Sequence, residues 1–263
     1  MSRESDGETV RTAPFTSPFM YWLAIDFTTS DPDELARINR FYDEVHIPEV
    51  FAANPGFVAV HRYTLQIQDR RGDFGAGNLI AYEIESAQAA EEYLEREPAS
   101  SYSADPPVWP ERLDTRWRVL YRRVAQTAPS TVAPGAISLI GINPPPDVDA
   151  AELAEFDRFY SDVHLPENTE LGSFSRGVRF EVRHALKHPA PGCPRFLAIY
   201  ELEDGSDEST RATLEHLKDK DDAYTKGPSA WIRKSTPWRL WYRRVASHTR
   251  AEALQRPAAR RAR

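Results

Sequence analysis

The 263-residue chain has one cysteine, Cys193, so no internal disulfide can staple it and it must fold on its apolar core alone. Nowhere does it approach the roughly 18 consecutive apolar residues of a bilayer-spanning helix, so no membrane partner is expected. Its opening, Met-Ser-Arg-Glu-Ser-Asp-Gly-Glu, lacks the apolar stretch of a secretory signal. With the lone cysteine, this points to a reducing cytoplasm. Missing too are the P-loop, the dinucleotide fingerprint, His-Glu-x-x-His and Cys-x-x-Cys. The glycines of Gly72-x-x-Gly75-x-Gly77 run into a strand instead of opening a helix, which argues against phosphate binding. Nicotinamide and nucleotide chemistry are set aside, and no cofactor is expected.

Positive charge is in short supply, with a net charge of −7. Five arginines in residues 247–263 face only Glu252, a local +4, which leaves −11 on the other 246 residues. So acidic a body is a poor partner for nucleic acid. Residues 1–17 and 247–263 are polar and carry no core pattern, so both are expected to be disordered arms.

What is present is a repeat. Phe41-Tyr42-Asp43-Glu44-Val45-His46-Ile47-Pro48-Glu49 returns 118 residues later as Phe159-Tyr160-Ser161-Asp162-Val163-His164-Leu165-Pro166-Glu167. Trp117-Arg118-Val119-Leu120-Tyr121-Arg122-Arg123 returns at an offset of 121 as Trp238-Arg239-Leu240-Trp241-Tyr242-Arg243-Arg244. A period near 120 residues has the size of a small domain, which reads as a tandem duplication with units at 18–126 and 136–246 and a linker at 127–135. Matching Arg62 to Arg183, also at 121, sets His61 opposite Val182, Tyr63 opposite His184 and Ala59 opposite Phe180.

Each unit reads strand, helix, strand, strand, helix, strand. Asp31-Pro32-Asp33-Glu34 supplies an N-cap, a proline at the first helical position and carboxylates at the positive end of a helix of about 14 residues. Pro48 and Asn54-Pro55-Gly56 are taken to mark its exit. This βαββαβ order is that of an α+β, ferredoxin-like unit with both helices on one sheet face. The strands carry apolar residues on both faces, so the second face needs a cover, and the other unit offers one.

On these residues the chain resembles the dimeric α/β barrel superfamily, and within it the EthD-like proteins, in which a helix ends in Tyr-x-x-x-His-x-Pro. Here that pattern is Tyr42, His46, Pro48 and again Tyr160, His164, Pro166, over roughly residues 19–125 and 136–246. The resemblance implies two tandem ferredoxin-like units forming an intramolecular pseudo-dimeric α/β barrel. Relatives of this shape include dehydratases, isomerases, cofactor-free monooxygenases and haem enzymes.

Tyr42 with His46, and Tyr160 with His164, stand one helical turn apart and share a face. An imidazole that titrates near neutrality can move a proton between two atoms of a substrate while a phenol polarises a carbonyl, which suits dehydration or isomerisation. The competing reading is that each histidine caps its helix C-terminus. His61 is a candidate second acid or base alongside His46. Glu83, matched by Glu201, is expected to be buried and ion-paired to Arg118 or Arg122. Arg62, Tyr63, Trp117, Tyr121 and Glu83 are the candidate substrate contacts, with Trp109 adding to the aromatic supply. A metal set of His46, His61 and Glu83 lacks diagnostic spacing, and no metal is expected. The function expected is a cofactor-free lyase, dehydratase or isomerase acting on an aromatic or apolar oxygenated small molecule. The alternatives are a cofactor-independent monooxygenase or a non-catalytic small-molecule-binding protein, and a homodimer of two-domain chains is allowed.

Overall fold

The computed structural model describes residues 14–72, 74–97, 113–129, 133–188, 192–218 and 220–255. In chain order these form β1 (Phe19–Phe27), α1 (Pro32–Phe41), α2 (Ile47–Ala53), β2 (Phe57–Ile67), β3 (Asn78–Ile84), α3 (Ala87–Arg96) and β4 (Leu113–Gln126). They continue as β5 (Ala136–Asn143), α4 (Ala150–Phe159), α5 (Leu165–Leu171), β6 (Arg176–Lys187), β7 (Phe196–Leu202), α6 (Asp207–Lys218), α7 (Ser229–Ile232), β8 (Ser235–Thr249) and α8 (Arg250–Gln255).

The strands close into an antiparallel eight-stranded barrel in the order β1-β3-β2-β8-β5-β7-β6-β4. The four strands of the first half of the chain are contiguous, as are those of the second, and β2–β8 and β4–β6 join them. Closure removes every free sheet edge. It also answers the question of the second sheet face, because that face lines the barrel lumen. Met20, Trp22, Tyr63, Leu79, Trp117, Tyr121, Phe180, Trp238 and Tyr242 fill the lumen among other buried residues. The alternate positions face outward, into one core under α1, α2 and α3 and a second under α4, α5 and α7. A register shift between Phe57 and Ala59 sends Phe57 to the outer core while His61 and Tyr63 turn inward.

The N-cap of α1 is as the sequence predicts: Asp31 Oδ1 accepts from the main-chain N–H of Asp33 and of Glu34, each at 2.9 Å. The end of the helix is not. Tyr42–His46 forms a π-helical turn that leads straight into α2, and Tyr160–His164 does the same into α5. Proline lacks the N–H that would reach back four residues, and its ring collides with that carbonyl in an α-helix. The wider turn removes the conflict: the Ile47 N–H donates to Tyr42 O and that of Leu165 to Tyr160 O. The prolines therefore widen these helices and do not end them.

Neither arm is free throughout. Of the expected disordered arm 1–17, residues 1–13 lie outside the described residues, but Phe15 is wholly buried at one mouth of the barrel. Of the expected tail 247–263, residues up to 255 complete β8 and form α8, and Arg250 donates to the carbonyls of Phe51 and Asn54 at the end of α2.

The buried carboxylates find other partners than Arg118 and Arg122. Glu83 accepts from His61 Nε2 at 2.9 Å and from the main-chain N–H groups of Phe15, Thr16 and Ser17 at 2.6, 2.9 and 2.7 Å. Glu201 pairs with Arg176 at 3.2 Å, and Arg176 also donates to Pro14 O and Phe15 O. Arg122 instead reaches Glu181.

Burial pushes the Glu83 carboxyl up, but the hydrogen bond and charge of His61 and the bonds from Ser17 outweigh it and bring it down to about 2, against an ordinary 4.5. A lowered carboxyl stabilises the fold in full above the unfolded value, and that stabilisation is lost as pH falls from 4.5 toward 2. At roughly 1.4 kcal/mol per pKa unit it amounts to about 3 kcal/mol. Urea unfolding of Glu83→Gln followed at a series of pH values is expected to show a lower midpoint near neutrality and a flatter acid decline than the unsubstituted chain. An unchanged acid slope would count against this role.

Candidate active site

On the outer face of the first-half sheet, under the helices, lies a cavity of about 280 Å³. Its floor is β1, β3 and β4, which contribute Tyr21, Tyr82 and Arg118, and its roof includes Tyr42, His46 and Tyr93. Tyr42 and His46 are brought together by the π turn, with their rings edge to face at 4.9 Å. This pair is the part of the predicted site that the structure places at a cavity.

The groups around it are set in protonation. Burial holds the His46 imidazole down to about 4, with nearby Glu49 acting the other way, so the ring is neutral at physiological pH. Burial raises the phenols of Tyr21, Tyr42 and Tyr93, so each keeps its proton and can donate. Arg118 donates to Tyr21 Oη at 2.7 Å and pairs with Glu97, which leaves one compensated cation in the cavity wall. Tyr42 is backed by Arg62, whose guanidinium lies 5.2 Å from the ring centroid and is held by Asp43 at 2.6 Å and by Asn39. His248 from β8 stands 3.7 Å from Asp43, so the second half of the chain buttresses the first-half site. Arg62 thus supports Tyr42 from outside the cavity lining.

The second half carries the same pair in a different setting. The Trp231 ring of α7 lies 4.5 Å from His164 and 4.9 Å from Tyr160, packed over both. Tyr224 stands 5.2 Å from His164 as well. Burial, then the charge of Lys234, lowers His164 to about 3. Arg179 backs Tyr160 at 4.2 Å from the ring centroid and binds Asp157 and Ser161, the residues 118 positions after Asn39 and Asp43. Arg62 therefore corresponds to Arg179, an offset of 117, and not to Arg183. Strand pairing agrees, since Arg62 lies opposite Ile80 and Arg179 opposite Ala198. The correct partners of Ala59, His61 and Tyr63 are then Arg176, Val178 and Phe180.

Several predicted contacts are elsewhere. His61 faces the lumen, where its Nδ1 meets Ser247 Oγ at 2.9 Å and its Nε2 meets Glu83, on the opposite side of the barrel wall from His46. It cannot serve as a partner base to His46, and the metal set of these three groups is not assembled. Among the described residues no group of three His, Cys, Asp or Glu is placed to hold a metal ion. Tyr63, Trp117 and Tyr121 are lumen residues: Trp117 stacks on Trp238 at 4.8 Å, and Tyr121 Oη lies 3.1 Å from Cys193 Sγ. Burial pushes that thiol up to about 11, which leaves it a poor nucleophile. Trp109 lies outside the described residues. Tyr82, Tyr93 and Glu97 of the cavity were not singled out in the sequence. The available signal was strand alternation, which sends Tyr21, Tyr82 and Arg118 to the helix side once Trp22, Glu83 and Trp117 are assigned to the lumen.

No family model matches the chain, and no curated protein matches it. Solved structures similar in shape include an anthrone oxidase-like protein, with 14% identity over 91% of this chain and 96% of that one at a TM-score of 0.48. A chlorite dismutase from Candidatus Nitrospira defluvii shows 11% identity over 90% and 92% at 0.48. Another protein described as a chlorite dismutase shows 14% over 90% and 96% at 0.49. Among the described residues no helix is long and apolar enough to cross a membrane.

An unfolded histidine gains its proton near 6.5, whereas the folded His46 and His164 resist it to about 4 and about 3. Both therefore withdraw stability as pH drops below 6.5. Their imidazole ¹⁵N resonances are expected to stay those of the neutral ring at pH 5.5, with His46 titrating first. Trp231→Ala is expected to cost about 3–5 kcal/mol in denaturant unfolding, the usual loss for emptying a buried tryptophan site. In the same variant the His164 titration should move up toward its ordinary value, and a fixed midpoint would show that Trp231 is not what dries the ring.

Proposed function

We propose that the chain is a small-molecule enzyme of the dimeric α/β barrel kind, built from tandem ferredoxin-like units at 18–126 and 136–246, with its active site in the first-half cavity. The observation that carries this is the placement of Tyr42 and His46 together in an aromatic-lined cavity, with the imidazole neutral and the phenol protonated. A neutral imidazole accepts a proton from the bound molecule, exchanges it with solvent through the open side of the cavity, and returns one to the molecule. The Tyr42 hydroxyl is suited to donate to the oxygen on which charge develops. Arg118 is compensated by Glu97, so the wall attracts no net anion, and the tyrosines offer flat apolar contact. The substrate is accordingly a neutral aromatic or apolar molecule carrying a carbonyl or hydroxyl. The reaction is proton abstraction next to that oxygen and reprotonation elsewhere, a lyase, dehydratase or isomerase step that needs no cofactor.

In this scheme His164 does no chemistry, because Trp231 packs on it. A direct test follows exchange of the α-hydrogens of 2-tetralone, a bicyclic aryl ketone, in D₂O by proton NMR. The protein is expected to speed exchange, His46→Gln to lose about 10²–10⁴-fold of that acceleration, and His164→Gln to keep it. Tyr42→Phe should fall between the two. Exchange that survives His46→Gln, or fails equally in His164→Gln, overturns the assignment.

A further inference from the structure

The mouth of the barrel is built as a receptor, and the chain fills it itself. The main chain of residues 14–17 is gripped from two sides: Glu83 accepts three successive N–H groups, and Arg176 donates to the carbonyls of Pro14 and Phe15 at 3.0 and 2.9 Å. Both side chains are almost wholly buried. The Phe15 ring enters a box of aromatic rings, stacked against Trp22 at 5.7 Å and Tyr63 at 6.3 Å, with His61 at 5.8 Å and the edge of Phe180 at 6.3 Å.

Two features show that phenylalanine fits this box imperfectly. Phe15 has φ +58°, the left-handed region that a bulky side chain rarely adopts, so the grip imposes a backbone its residue does not favour. The two rings stacked on it carry polar atoms, Trp22 Nε1 and Tyr63 Oη, that are buried without a hydrogen-bond partner. A phenyl ring has no oxygen to offer them. An unpaired buried donor is costly, and a ligand oxygen within reach of either atom would relieve that cost.

We propose that the mouth of the barrel is a second binding site, for an aromatic ring bearing an oxygen, and that Phe15 is its built-in occupant. The ligand class is a phenol or aryl ketone attached to a small amide-like or carbonyl group that replaces the main chain of the arm between Glu83 and Arg176. The site lies on the lumen side of β2 and β3 and so stands or falls separately from the first-half cavity on their outer side.

The test uses the full chain carrying Phe15→Gly, because glycine adopts φ near +58° freely and leaves the grip on the main chain in place. Phenol and benzene are titrated into this variant by calorimetry and ligand-observed NMR. Phenol is expected to bind at least about fivefold more tightly than benzene, the worth of one buried hydrogen bond, and Tyr63→Phe in the same background should erase most of that preference. Equal affinities, or no binding to a variant that still unfolds cooperatively, overturn the proposal. A second measurement needs no cavity-forming variant: with 4-fluorophenylalanine at position 15 of the otherwise unchanged chain, excess N-acetyl-tyrosinamide should shift the fluorine resonance to its solvent-exposed value. A resonance that stays at its buried position at saturating ligand shows a permanent plug and sinks the idea.

Discussion

Successive residues of a strand point to opposite sides of the barrel wall, and this alternation organises everything else in the molecule. Along β1, Met20 and Trp22 go to the lumen and Tyr21 to the helices; along β3, Ala81 and Glu83 go in and Tyr82 goes out; along β2, His61 and Tyr63 go in and Arg62 goes out. The candidate cavity and the arm-filled mouth are therefore back to back across one sheet, served by neighbouring residues of the same strands. Both faces are apolar, so neither could stand in water, and closing the sheet on itself satisfies both at once.

The lumen also admits charge, under strict conditions. A carboxylate moved out of water costs several kcal/mol unless a partner and hydrogen bonds compensate it. Glu83 and Glu201 occupy matched places in β3 and β7, yet they are compensated differently: His61 in the first half, Arg176 in the second. In each half the position of the other half's partner is filled by an uncharged residue, Val178 opposite His61 and Ala59 opposite Arg176. One base for each acid is kept while its place moves by two residues on the same face of the strand. This gives each carboxylate a hydrogen-bonding partner and gives the arm one carboxylate and one guanidinium to bind.

The helix starts, the order of elements and the face shared by Tyr42 and His46 could all be read from local pattern, because caps and periodicity are set by neighbours in sequence. The match of β2 to β6 could not. Arg62 and Arg183 look equivalent in sequence, but the equivalence that matters is which arginine backs the tyrosine of the π turn, and only the fold shows that Arg179 does so. An error of four residues keeps strand parity, so side-chain alternation gave no warning. The burial of the arms escapes local pattern for a related reason. One phenylalanine in a polar stretch has no periodicity, and its burial depends on Glu83 and Arg176, which lie 68 and 161 residues away. Polar composition likewise hid the end of β8 and α8, whose place is set by pairing with β2 and by contact with α2.

The duplicated Tyr-x-x-x-His-x-Pro pattern allowed two readings, a helix cap or a proton-transfer pair, and the structure divides the pattern between its residues. A cap is excluded by continuity: the helices run on through α2 and α5, so no exposed C-terminal carbonyls meet the histidines, and a cation there would find no helix end to stabilise it. Low pKa values agree, since a capping histidine would be raised and not lowered. The proline keeps a structural task in both halves, because its missing N–H and bulky ring force the wider turn that swings the histidine ring against the tyrosine. The chemical task proposed for the histidine needs room beside it. In the first half the room is a cavity; in the second, Trp231 lies on both rings. The same turn thus sets the geometry of the pair in both halves, and among the described residues the cavity lies beside the first and Trp231 beside the second.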